Sequence, residues 1–182
     1  MTQAQLAAAL GGEQLRAGAG GPVRAVALAL DPGDDVVAAA VGCDVLVLHR
    51  FYGLKATPPG LGVLGTHDWF DAQLPGWLAA ALGIAAPVTL AGDARALVGE
   101  SACDGIVVVA GAMTPELILT ADAAGAALYV TGQWRAPASL AVAATGIDVL
   151  ALGHARWERW GLEELGRRLR ARWPGLDVRA LG

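Results

Sequence analysis

Two of the three histidines in the chain are each followed, four residues later, by a carboxylate. His67 opens HDWFD and reaches Asp71; His154 opens HARWE and reaches Glu158. On a helix that spacing sets two side chains one turn apart on one face, with Cβ atoms about 5 to 6 Å apart, near enough to converge on one ion. Imidazole with carboxylate suits zinc, iron, manganese, cobalt or nickel, and the lack of a neighbouring thiolate argues against a closed structural zinc site. The third histidine, His49, ends the apolar run DVLVLH and is followed at once by Arg50. Strand ends are where α/β proteins place ligands. Either pair alone is also what a solvated helix face would carry, worth only about a few tenths of a kcal/mol. Two such pairs together with His49 favour a metal site.

The elements that must position these residues are strand-like runs at Val23–Leu30, Asp44–Leu48, Pro87–Ala91, Gly105–Ala110, Ala127–Thr131 and Asp148–Leu152. Alanine-rich segments with helix-start signals lie between most of them, such as Asp34-Asp35 before VVAAAVG and Thr114-Pro115-Glu116 before LILTADAAG. Alternation of this kind predicts an α/β protein with mostly parallel strands. Unbroken apolar character in the runs predicts sheets covered by helices on both faces. Two strand–turn–helix–strand stretches of similar length suggest one folding unit of two related lobes, about 22–92 and about 104–182. Residues 11–22, rich in glycine, read as a turn or linker. The last helix should dock through Leu162, Leu165, Leu169 and Trp173 and stop at Pro174-Gly175.

Composition removes several functions. The charge-free run Leu74–Gly92 is broken by two prolines and two internal glycines, whereas a spanning helix needs about 20 uninterrupted apolar residues; no membrane span is expected. Net charge is −4, with Lys55 the single lysine, so the basic excess of a nucleic-acid binder is missing. Arg167, Arg168, Arg170 and Arg172 instead complement Glu163 and Glu164 along a helix dipole. The start MTQAQLAAALGG lacks the charged and apolar regions of a secretory signal, which predicts a cytoplasmic protein. Cys43 and Cys103 form no C-x-x-C pair and read as reduced, partly buried thiols.

Four stretches, VRAVALALDPGDDVVAAAVGCDVLVLH, GTHDWFDA, LYVTGQW and IDVLALGHARWERWG, resemble in order the motifs of the NIF-three-like dinuclear metal-centre family, also described as GTP cyclohydrolase I type 2 homologs. The resemblance runs from about Pro22 to Gly161. It implies the NIF-three-like fold, one or two divalent metals and a ring-shaped homohexamer. Carried over position by position, it makes His49, Asp71, His154 and Glu158 metal ligands and leaves His67 outside the ligand set or an occasional member. Where the family has a second consecutive histidine this chain has Arg50, a guanidinium with no lone pair to offer a cation.

What the resemblance implies is a metal-dependent hydrolase acting on a nucleotide or another phosphate-containing small molecule. His67 would move protons and Arg50 would hold a phosphate or a developing oxyanion. The alternative is a non-enzymatic metal-handling or regulatory protein with a degenerate dinuclear site. A third reading, a nucleotide-binding module at VVVAGAMTPE, rests on Gly111 alone without the glycine fingerprint of such sites.

Overall fold

A computed structural model describes residues 1–102 and 105–181. Cys103, one of the two thiols read from the sequence, lies outside the described residues. In chain order the elements are α1 (Gln3–Ala9), β1 (Glu13–Arg16), β2 (Ala25–Ala29), α2 (Asp34–Ala39), β3 (Val45–Leu48), β4 (Gly62–Gly65), α3 (His67–Ala81), β5 (Ala85–Leu90) and β6 (Asp93–Ser101). There follow β7 (Gly105–Ala110), α4 (Pro115–Ala123), β8 (Leu128–Thr131), a short 3-10 turn (Ala136–Ala138), α5 (Ser139–Thr145), β9 (Asp148–Ala151), α6 (His154–Arg172) and β10 (Asp177–Leu181). The result is an α/β fold of two five-stranded sheets with helices. None of the described helices is long and apolar enough to cross a membrane.

The chain divides into two compact units, one made of 1–70 with 159–182 and the other of 71–158. The first unit holds the sheet ordered β1-β4-β3-β2-β10. Its four inner and C-terminal strands run parallel, and only β1 pairs antiparallel, on β4. β1 therefore forms inside the glycine-rich stretch 11–22. Strands β2 and β3 are buried along almost their whole length, as the unbroken apolar runs require. Successive side chains of a strand point to opposite faces. Accordingly Ala27, Ala29, Leu46 and Leu48 join a cluster with Ala40, Cys43 and Val63, while Leu28 faces α6. Leu162, Leu165 and Leu169 of α6 are buried. Gly166 brings that helix close: a Cβ there would sit 3.5 Å from Leu28 Cδ1 and 3.7 Å from Val178 Cγ1. Burial pushes the free Cys43 thiol above its ordinary pKa, which keeps it protonated.

The second unit holds the sheet ordered β5-β6-β7-β8-β9. Here β7, β8 and β9 are parallel, whereas β5, β6 and β7 form an antiparallel meander. Helix α4 begins where the Thr114 hydroxyl accepts from the Leu117 amide at 3.2 Å, with Pro115 in the first turn. Its buried Ile118 and Ala121 pack with Val108, Ala110 and the fully buried Tyr129. Tyr129 donates its hydroxyl to the Ala112 carbonyl at 2.6 Å, fixing the turn after β7. Burial raises the pKa of that phenol, so it stays a donor.

Candidate metal centre

Parallel register places the first group of candidates. Strands β3 and β4 are neighbours with Leu48 opposite Gly65, so the residues just past their ends lie side by side. His49 extends the ladder, its amide donating to the Ala29 carbonyl at 3.0 Å, and its side chain is buried. Thr66 closes the other strand, its amide donating to the Leu48 carbonyl at 2.9 Å, and α3 begins at the next residue, His67. The imidazoles of His49 and His67 stack 4.8 Å apart at 13°, and the Phe70 ring lies 4.8 Å from His49 on a tilt. One helical turn after His67 comes Asp71. Nitrogen and oxygen ligand atoms of His49, His67 and Asp71 all lie within 4.8 Å of one another, and the three could hold a metal ion.

Local details hold this group in place. Gly65 has no side chain because the Phe51 ring packs where a Cβ would go. Asp68 Oδ1 lies 3.1 Å from His67 Nδ1, the kind of outer carboxylate that fixes a tautomer with the lone pair on Nε2. Pro75 sits inside α3 four residues after Asp71, and proline offers no N–H to the carbonyl four residues back. Imidazole, imidazole and carboxylate are a donor set that fits a borderline divalent ion.

The second candidate pair opens α6. His154 Nε2 lies 3.2 Å from Glu158 Oε1, as the four-residue spacing predicts, with His154 61% exposed and Glu158 4% exposed. Both line a cavity of about 150 Å³ in the second unit, together with Asp71, Arg95, Gly111, Gly132 and Trp157. The cavity opens past the carboxyl ends of β7 and β8, the usual ligand position in such sheets. Gly132 is required there, since a Cβ would come within 3.0 Å of the buried Trp157 ring. Thr131, just before it, is fully buried, and its Oγ1 has no hydrogen-bond partner among the described residues.

The residues expected from the sequence thus fall into two groups that share Asp71. His49, His67 and Asp71 come together as potential ligands, so His67, expected as a proton carrier or an occasional ligand, stands where it could be a ligand. His154 and Glu158 are not members of that trio, but they line one cavity with Asp71. Arg50 takes neither position. Its Nε and one terminal nitrogen donate to the two oxygens of Asp31 at 2.7 Å each, and these bonds hold the Asp31 carboxyl below its ordinary pKa. The Nε-side fork of this guanidinium is thus filled by a carboxylate. Arg95 is the cavity residue that sequence reasoning missed. Its signal was a lone cation in the alternating stretch DARALVG.

A model of the Duf34/NIF3 (NGG1p interacting factor 3) family matches residues 73–181. The chain belongs to this family. Its fold is that of solved structures with low sequence identity. The protein ybgI, described as of unknown function, matches with a TM-score of 0.77 at 17% identity over 100% of this chain and 98% of its own. Reduced HcgD from Methanocaldococcus jannaschii matches at 0.70 and 16% identity, over 93% and 88%. TTHA1606 from Thermus thermophilus matches at 0.70 and 20% identity, over 100% and 98%. No curated protein sequence matches the chain. For this Duf34/NIF3 member, similarity at these levels carries the fold.

Proposed function

We propose that this Duf34/NIF3 protein is a metal-dependent hydrolase acting on a phosphate-containing small molecule, with His49, His67 and Asp71 as the core of its metal site. The observation that carries the reading is the convergence of two imidazoles and a carboxylate within 4.8 Å. His154 and Glu158, which line one cavity with Asp71 in the second unit, are the further ligands that the family resemblance brings to this proposal. A divalent ion held there would supply Lewis acidity and would lower the pKa of a bound water toward about 7. The chain's own part is to orient the donors: Phe70 and the His67 ring wall His49 on its faces, Asp68 sets the His67 tautomer, and buried Glu158 steers the exposed His154 ring. A nucleotide such as GTP is the substrate that the family resemblance brings to the proposal. A cytoplasmic homohexamer belongs to the same proposal, and analytical ultracentrifugation would report six times the 18.5 kDa of one chain.

Elemental analysis of untagged wild-type protein, grown with several divalent ions supplied, tests the reading. Metal bound in wild type and depleted in His154→Ala supports it, and metal near zero in wild type sinks it. Turnover of GTP that disappears with the ligand variants is expected of the hydrolase. Metal-handling without turnover is the second reading, favoured by Arg50, which stands where the family has a ligand and is paired to Asp31. Bound metal with no turnover of any nucleotide tested would select it.

A further inference from the structure

We propose that Arg95 is the anion anchor of the second unit's cavity, gripping the phosphate or carboxylate head group of a ligand in the space it shares with Asp71, His154 and Glu158. The inference rests on the metal reading above and adds the chemical class of ligand and the residue that selects it. In β6, Arg95 neighbours the buried Ala96, so the alternation of a strand turns its side chain to the opposite, exposed face. The Gly111 amide donates to the Arg95 carbonyl at 3.1 Å, which ties the residue to the turn after β7. Arg95 lines the same cavity as Asp71, His154 and Glu158. No side-chain hydrogen bond or ion pair of its guanidinium is found among the described residues, in contrast to Arg50, whose fork is filled by Asp31.

Arg95 shares its cavity with the carboxylates of Asp71 and Glu158, and a metal ion held by these would leave the guanidinium charge to be met by an anionic ligand. Guanidinium is also the side chain best shaped for two parallel hydrogen bonds to a phosphate or carboxylate. The cavity is open at the neighbouring Gly111, where an added Cβ would meet nothing within 4 Å. At about 150 Å³ the cavity is well below the roughly 300–1,000 Å³ of sites that enclose a whole drug-sized ligand, so it accepts a head group and leaves the remainder outside. Without metal, Asp71 and Glu158 repel the same anion. Anion and metal therefore bind with positive coupling, and by linkage each tightens the other.

The test is calorimetric titration of inorganic phosphate, and separately of acetate, into metal-loaded protein dialysed free of unbound metal, at fixed ionic strength. Wild type binds phosphate; Arg95→Ala weakens that binding by about ten- to a hundredfold, the worth of a charge-assisted hydrogen bond, and Arg95→Lys by less. Acetate bound more tightly than phosphate, with the same dependence on Arg95, assigns a carboxylate head group instead. Arg50→Gln keeps wild-type phosphate affinity, and Arg95→Ala keeps wild-type metal content and melting temperature. Equal affinity in Arg95→Ala and wild type, an equal loss in Arg50→Gln, or the absence of binding by both anions overturns the assignment. Elemental analysis separates the two ideas: a wild type without metal fails the metal reading, whereas a metal-loaded wild type whose phosphate affinity is unchanged in Arg95→Ala fails the assignment of Arg95 alone.

Discussion

His67→Ala is the substitution that tests the geometry most directly, because the resemblance makes His67 at most an occasional ligand and the structure brings it into the trio. In metal-free protein its cost is small: the side chain is 36% exposed, and its contacts include a stack on His49 and one exposed carboxylate. With metal the cost is large. A ligand present at about 100 times its Kd stabilises the folded state by about 2.7 kcal/mol, which for a chain of this size raises Tm by about 5 to 11 °C. Outer-shell partners alone change metal affinity by about 10- to 100-fold, so loss of a direct ligand should cost at least about 100-fold. At the same metal concentration the variant then sits near its own Kd and gains about 0.4 kcal/mol, or about 1 to 2 °C. The assay is thermal unfolding of wild type and His67→Ala, each with and without metal, using the ion found by elemental analysis. A variant that keeps the full metal-induced rise would refute His67 as a ligand and with it the trio.

Phe70→Ala removes a fully buried ring that walls His49 and should cost about 3 to 5 kcal/mol in urea unfolding, with weaker metal binding; a loss below about 1 kcal/mol would contradict its packing role. Thr131→Val replaces an unpartnered buried hydroxyl with a methyl group and should leave stability unchanged or raise it by up to about 1 kcal/mol, whereas clear destabilisation would reveal a partner for the hydroxyl. Arg50 holds the Asp31 pKa below its unfolded value, so the pair stabilises in full above the unfolded pKa and the contribution is lost as pH falls through the folded one. Melting curves of wild type and Arg50→Gln should therefore differ near pH 7 and converge in acid; a gap that widens in acid would reverse the sign.

Much of the scaffold was legible because its buried strands are unbroken apolar runs: VLVL of β3, GIVVVA of β7 and LYVT of β8 need no partner to be read. The strands that escaped notice have reasons. GVLG of β4 is four residues with glycine at each end, and it is a strand because β1 and β3 flank it. DARALVGES of β6 and DVRAL of β10 carry charges on an exposed face, and an edge or half-covered strand tolerates these. Pro75 and Gly76 look like a break, yet α3 runs through both. At the site, spacing exposed the His67/Asp71 and His154/Glu158 pairs, since a helix converts four residues into one turn. Arg50 with Asp31 is different. Nineteen positions separate them, and the pair exists only through the parallel register of β2 and β3, which no local pattern records.

Strand β10 carries a consequence for how the chain folds. It pairs in parallel with β2, Asp177 opposite Ala25, across roughly 150 intervening residues, a separation that makes closure of this sheet slow. The second unit has no such requirement, because 71–158 is one continuous stretch and its meander pairs neighbours. Topology thus favours an order in which the middle of the chain is structured first and the first sheet completes last. Until β10 docks, β2 is an uncovered apolar edge, the kind of surface on which chains associate wrongly. Loss of the last strand would appear first as aggregation during refolding, before any effect on metal binding is measurable.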